Sequence, residues 1–94
     1  MDVLYKSAFR KFVKKQARGF QLAIEDETER IKKEPRIGEK KKGDLSGFRV
    51  HKFKFRGQGH LIAYRTESDC LIMYMIDTHE NFYRSLKRYI REVG

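Results

Sequence analysis

The chain has 94 residues, with 22 Lys or Arg against 13 Asp or Glu, a formal net charge of +9 and 39% apolar residues. A chain of this size buries only about 60–65% of its unfolded surface, so two independent cores and multidomain enzymes are excluded, and stability is marginal without a ligand or partner. The single Cys70 rules out an internal disulfide and the usual thiolate zinc cluster, and it makes a reducing compartment the default.

The apolar run Cys70–Ile76 falls far short of the roughly 20 residues that cross a bilayer, and Met1 to Lys6 lacks the apolar stretch of a secretion signal. A soluble cytoplasmic protein with no membrane partner is expected. Seven Phe and five Tyr spread among the charges argue for a folded domain over a disordered basic tail.

Residues 2–5 alternate weakly and read as a short strand, after which Ser7 can cap a helix. Phe9, Phe12, Val13 and Ala17 recur at helical spacing, with Arg10, Lys11, Lys14, Lys15 and Arg18 around them, and Gly19 is the natural stop. A second helical pattern runs from Phe20 through Ala23, Ile24 and Ile31 and ends at Pro35. The two form a helical hairpin whose apolar faces need a cover. Glu39 to Asp44, which includes Lys40, Lys41 and Lys42, reads as a polar loop, either a plain linker or part of a basic surface.

From Gly47 the period changes to about 2. Residues 48–56 read as a strand, Gly57-Gln58-Gly59 as a hairpin turn, 60–65 as a second strand and Cys70–Ile76 as a strand covered on both faces. The alternation breaks between Val50 and Phe53, which predicts a β-bulge near His51-Lys52. Glu80 to Arg91 closes the chain as a helix with Phe82, Leu86 and Ile90 on one side. The order β-α-α-β-β-β-α makes a single α+β domain over 1–94, an antiparallel sheet packed against an N-terminal helical hairpin.

The strand 48–56 places Phe53 and Phe55 on one side and Lys52, Lys54 and Arg56 on the other. Three cations about 6.5–7 Å apart repel one another unless a polyanion lies across them. A nucleic-acid backbone suits them, and so does the solvated outer face of a sheet. Arg36, Lys40 to Lys42 and Arg49 extend the basic stretch, while residues 36–56 hold only Glu39 and Asp44 as acids. His51 lies beside this strand and His79 sits where the last strand meets the closing helix. A histidine among cations has its imidazolium form disfavoured, and a neutral imidazole beside a phosphate is what a general base requires. No His or carboxylate spacing suits a divalent cation, and no paired carboxylates or activated Ser or Cys emerge, so no cofactor is expected.

The element order, the segment from Lys42 to Phe53, the strand ending Leu61-Ile62-Ala63-Tyr64 and the closing Thr78-His79-Glu80-Asn81-Phe82-Tyr83 together resemble the RelE/ParE superfamily of type II toxins. The resemblance spans almost the whole chain. It implies a RelE-like fold, a cognate antitoxin as partner, a monomeric free form and a higher-order complex with that antitoxin. In the RelE branch it further implies a metal-independent endoribonuclease, an mRNA interferase acting on the ribosome through attack of the 2′-hydroxyl on the scissile phosphorus. In the ParE branch it implies a DNA gyrase inhibitor with no bond-cleaving residues, and an inactive relative that merely binds RNA or antitoxin is a third reading.

Lys52, Lys54 and Arg56 match the basic strand positions of RelE, whereas an arginine of that pattern falls on Leu61, a departure that Arg49 or Arg65 could compensate. Thr78, His79 and Tyr83 match the YafQ-like branch, in which the corresponding histidine is catalytic. By that resemblance His79 is the leading proton-transfer group, His51 a second shuttle, Tyr83 a base-stacking or hydrogen-bonding residue, and Lys40, Lys41, Lys42, Arg49 and Arg65 contact RNA. The plainer alternatives are that His79 packs at the start of the helix and that Tyr83 joins Leu86 and Ile90 in the core.

Overall fold

A computed structural model describes residues 1–93. Its elements are β1 (Asp2–Tyr5), α1 (Ser7–Lys14), α2 (Arg18–Lys33), β2 (Glu39–Lys40), β3 (Arg49–Phe55), β4 (Gln58–Glu67), β5 (Cys70–Thr78) and α3 (Phe82–Val93), with 3-10 turns at Pro35–Ile37 and Gly43–Leu45. The five strands form one sheet in the order β1-β5-β4-β3-β2. The α+β class holds, but the sheet is mixed: β1 runs parallel to β5, while the other neighbours are antiparallel. Strands joined by two-residue turns must be antiparallel, whereas β1 is separated from β5 by most of the chain and takes its direction from the long excursion between them.

Both tight turns have two residues in the left-handed region, Arg56 and Gly57 (φ 50° and 82°) and Ser68 and Asp69 (φ 47° and 64°). Turns of this hand match the twist of the strands they join. The first hairpin therefore turns on Arg56-Gly57, and Gln58 and Gly59 already belong to β4. Glu39-Lys40 also departs from the expected loop, pairing with Val50 and Arg49 as a short edge strand.

Gly19 does not end the first helix. The backbone N–H groups of Lys15 and Gln16 bond back three residues to close α1 at Lys14, Ala17 is extended, and Gly19 lies in the first turn of α2. Ser7 is the first helical residue and makes no capping hydrogen bond, the cap position falling on Lys6.

The sheet carries a core on each face. Under α1 and α2 lie Phe9, Phe20, Ile24, Ile31, Phe53, Ile62, Tyr64, Leu71, Met73 and Ile76; under α3 lie Leu45, Phe48, Val50, Leu61, Ala63, Met75, Phe82 and Leu86. Each fully buried aliphatic side chain contributes about 1.5–3 kcal/mol over its exposed state. Two cores explain the broken alternation of β3, because Val50 faces one and Phe53 the other. β3 pairs with β4 without interruption from Arg49 to Phe55, and the register shift lies instead between Ala63 and Tyr64 of β4, against β5. Tyr64 is fully buried; its hydroxyl donates to Pro35 O (2.6 Å) and accepts from Gly38 N–H (2.8 Å), which pins the chain leaving α2 to the sheet. Gly38 must be glycine here, since a Cβ would stand 2.5 Å from the Tyr64 oxygen. Among the described residues no helix is long and apolar enough to cross a membrane.

Candidate nucleic-acid interface

Alternation along β3 sends His51, Phe53 and Phe55 toward α1 and α2 and sends Val50, Lys52 and Lys54 toward the α3 side. Lys54 stands opposite Gly59 of β4, and the backbone N–H of His79 donates to Gly59 O at 3.0 Å, extending the ladder one residue beyond β5. A Cβ on Gly59 would lie 3.6 Å from the His79 Cβ, so the absent side chain leaves the row between Lys54 and His79 open. That row spans two strand spacings, about 9.5 Å. The next row runs Lys52, Leu61, Asp77. Lys52, Lys54 and His79 are all exposed.

Helix α3 forms the floor of this surface. Phe82 and Leu86 are fully buried, and Asp77 fastens the start of the helix to the sheet: one carboxylate oxygen accepts from Thr78 N–H (2.7 Å) and the other from the Ser85 hydroxyl (3.0 Å). This clamp positions Tyr83, which is half-buried beside Phe82 with ring centroids 5.1 Å apart. The Lys41 Nζ lies 5.1 Å from the centre of the Tyr83 ring and donates to Glu39 at 2.8 Å. Hydrogen bonding to Glu39, with a further contribution from Tyr83, holds the Lys41 ammonium above its ordinary pKa. Glu39 is held below its own, first by the hydrogen bond from Lys41 and more weakly by the charge of Lys52. Lys41, Lys52, Lys54, Tyr83 and His79 thus share one face of the sheet.

Other expected site residues lie elsewhere. His51 is 7% exposed on the opposite face, its Nε2 2.7 Å from Glu27 Oε1 of α2, so it cannot serve as a second proton shuttle on the Lys52 side. Its neighbour is an acid contributed by a helix, which periodicity in β3 could not reveal. Arg56 leaves the lysine face as well, because its left-handed turn conformation ends the alternation; its guanidinium lies 5.2 Å from the centre of the Phe55 ring.

Arg49 donates to Gly38 O (2.9 Å), and Arg65 lies over Phe48 with donors to Gly47 O (3.3 Å) and Ser46 O (3.4 Å). Both tie loops to strands, and neither stands beside Leu61, which is buried under α3. Lys40 is exposed on the edge strand and Lys42 just after it, so the lysine run is divided among different environments, with Lys41 alone set against Tyr83. Lys41 as the partner of the Tyr83 ring and the Asp77–Ser85 clamp are what sequence reasoning missed. The first is one of three identical neighbours, and the second joins residues on two elements.

A small basic α+β domain with a helical hairpin on one face of a mixed sheet and a single helix on the other is the architecture of RelE/ParE superfamily toxins. A family model described as the ParE-like toxin of type II bacterial toxin-antitoxin systems matches residues 3–87. The chain belongs to that family. Its structure is similar to the isolated RelE toxin of E. coli (TM-score 0.63, 15% identity, covering 94% of this chain and 97% of that one) and to the intact E. coli RelBE toxin-antitoxin complex (TM-score 0.62, 14% identity, 80% and 92%). It is also similar to a conserved hypothetical protein of Helicobacter pylori solved in solution (TM-score 0.56, 22% identity, 85% and 96%). At these identities the likeness is one of fold. No curated protein sequence matches the chain.

Proposed function

We propose that this type II toxin cleaves messenger RNA in the ribosomal A site and is neutralised by a cognate antitoxin. The observation that carries the reading is the row Lys54, Gly59, His79, with Lys52 beside it: an exposed histidine and two exposed lysines lie on one face of the sheet around a gap, left by glycine, that a phosphodiester can enter. The RNA supplies its own nucleophile. The 2′-hydroxyl gives its proton to the His79 imidazole, its oxygen bonds to phosphorus, and the bond from phosphorus to the 5′ oxygen breaks, leaving a 2′,3′-cyclic phosphate. Lys52 and Lys54 neutralise the charge that builds on the phosphoryl oxygens, and a lysine ammonium protonates the departing oxygen. Tyr83, with Lys41 against its ring, offers an aromatic edge to a neighbouring base.

An antitoxin fits the same surface by charge, laying acidic side chains along the cations, and it stabilises the toxin by mass action. The fold shared with the toxin of the RelBE complex supports such a partner. A second reading, inhibition of DNA gyrase without cleavage, is favoured by the ParE-like description of the matching family. Primer extension on mRNA from cells expressing the chain, beside the His79→Ala variant, separates the two. Cleavage that disappears with His79 supports the nuclease. Whole RNA with full growth arrest and DNA breaks overturns it in favour of gyrase.

A further inference from the structure

Behind the lysine face, on the α1–α2 side of the same sheet end, lies a pocket of about 440 Å³ that none of the chemistry above uses. Such a volume is within the range of about 300–1,000 Å³ typical of ligand sites. Phe12, Phe20, Phe55, Arg56, His60 and Thr78 line it. Phe20 and Phe55 are stacked (centroids 4.8 Å apart, planes 12° apart), and the Arg56 guanidinium over Phe55 adds a second flat surface that favours π systems. Thr78 Oγ1 is the one buried side-chain oxygen or nitrogen among the described residues with no hydrogen-bond partner.

A buried hydroxyl without a partner is unfavourable, and a functional site is one reason for a fold to keep it. His60 lies beside it, paired across the ladder with Thr78. Its Nδ1 donates to Gln58 O at 3.1 Å, and burial lowers the pKa of the ring, which favours the neutral form with Nε2 as a lone-pair acceptor. The pocket therefore combines flat apolar and cationic surfaces with a hydroxyl that can donate or accept.

We infer that this pocket is a nucleobase subsite, holding a base of the single-stranded RNA whose phosphodiester lies at His79. The inference rests on the nuclease reading for its substrate, but its geometry is separate. Thr78 and His79 are consecutive, and their side chains lie on opposite faces of the sheet, one in the pocket and the other on the lysine side. A strand crossing the rim at the Arg56-Gly57 turn leaves one phosphate against Lys54 and His79 and carries an adjacent base over to Phe55 and Arg56. Single-stranded RNA is recognised in this way, by bases splayed onto aromatic rings and guanidinium planes and hydrogen-bonded at their edges.

The test uses the full-length His79→Ala protein and the uncharged probes adenosine and cytidine, with ribose 5-phosphate as the charged control lacking a base. Titration followed by NMR should give saturable shifts at Thr78, His60 and Phe55 with a nucleoside and none there with ribose 5-phosphate. Thr78→Val, which replaces the hydroxyl with a methyl group, should weaken nucleoside binding about fivefold, the loss of one hydrogen bond, without lowering the melting temperature. In a protein retaining His79, Arg56→Gln should raise KM for RNA and leave kcat unchanged. Absence of saturable shifts, shifts produced equally by ribose 5-phosphate, or full binding by Thr78→Val overturns the subsite. RNA cleavage that depends on His79 without nucleoside binding here leaves the nuclease standing and removes the pocket from it; nucleoside binding with RNA left whole supports the pocket and removes the nuclease.

Discussion

The two faces of the sheet treat polar residues in opposite ways. On the α1–α2 face they are inside and, apart from the Thr78 hydroxyl, partnered: His51 with Glu27, the Thr28 hydroxyl with Ile24 O at 2.9 Å, and Tyr64 with Pro35 and Gly38. On the α3 face a single helix covers Leu61, Ala63 and Met75 but stops short of Lys52, Lys54 and His79, which remain in water. One strand, β3, supplies both faces. The chemistry available to a residue in it is decided by how much helix lies over it, more than by its type.

The sharpest way to break this contrast is His79→Ala, expected to slow RNA cleavage about 10²–10⁴-fold while the melting temperature stays put, because the imidazole is exposed. A cleavage assay beside a thermal melt checks both halves. Phe20→Ala on the other face should do the reverse to the fold, removing about 3–5 kcal/mol of stability in a denaturant titration through the cavity left among Phe12, Phe53 and Phe55. Tyr64→Phe leaves the Gly38 N–H and Pro35 carbonyl without their partner and should destabilise by about 1–3 kcal/mol in the same titration.

A smaller effect concerns pH. Burial lowers the pKa of His60, so the folded protein holds the imidazole neutral more firmly than the unfolded chain does. The unfolded chain then binds more protons, and stability is complete above the ordinary histidine pKa of about 6.5 and falls as pH drops below it. Melting temperatures measured from pH 7.5 down to 5 should decline, and His60→Gln should flatten that decline.

Much of the local structure is legible in the residues. The spacing of Phe9, Phe12 and Val13 marks α1, Pro35 bounds α2, and the run from Cys70 to Ile76 marks a strand covered on both sides, as β5 is. What stays hidden is every feature that depends on a distant partner: the parallel pairing of β1, the strand at Glu39-Lys40, the register shift at Ala63/Tyr64, and the two cores that break the alternation of β3 where the sequence predicts a bulge. At the site, period 2 puts Lys52 and Lys54 together and also separates His51 from them, an outcome already implicit in their odd and even numbers. Arg56 is lost to the row because a turn residue with positive φ ends that count.

The parallel contact between β1 and β5 sets an order of events. Asp2 to Tyr5 find their mates at Cys70 to Met73, across two helices and three intervening strands. Closing so long a loop is entropically slow, and the hairpins β3–β4 and β4–β5, joined by two-residue turns, form faster. The opening strand therefore joins late, whereas His79, bonded to Gly59 across the β4–β5 hairpin, takes its place with that hairpin. Closure of the β1 edge is then expected to follow assembly of the lysine face.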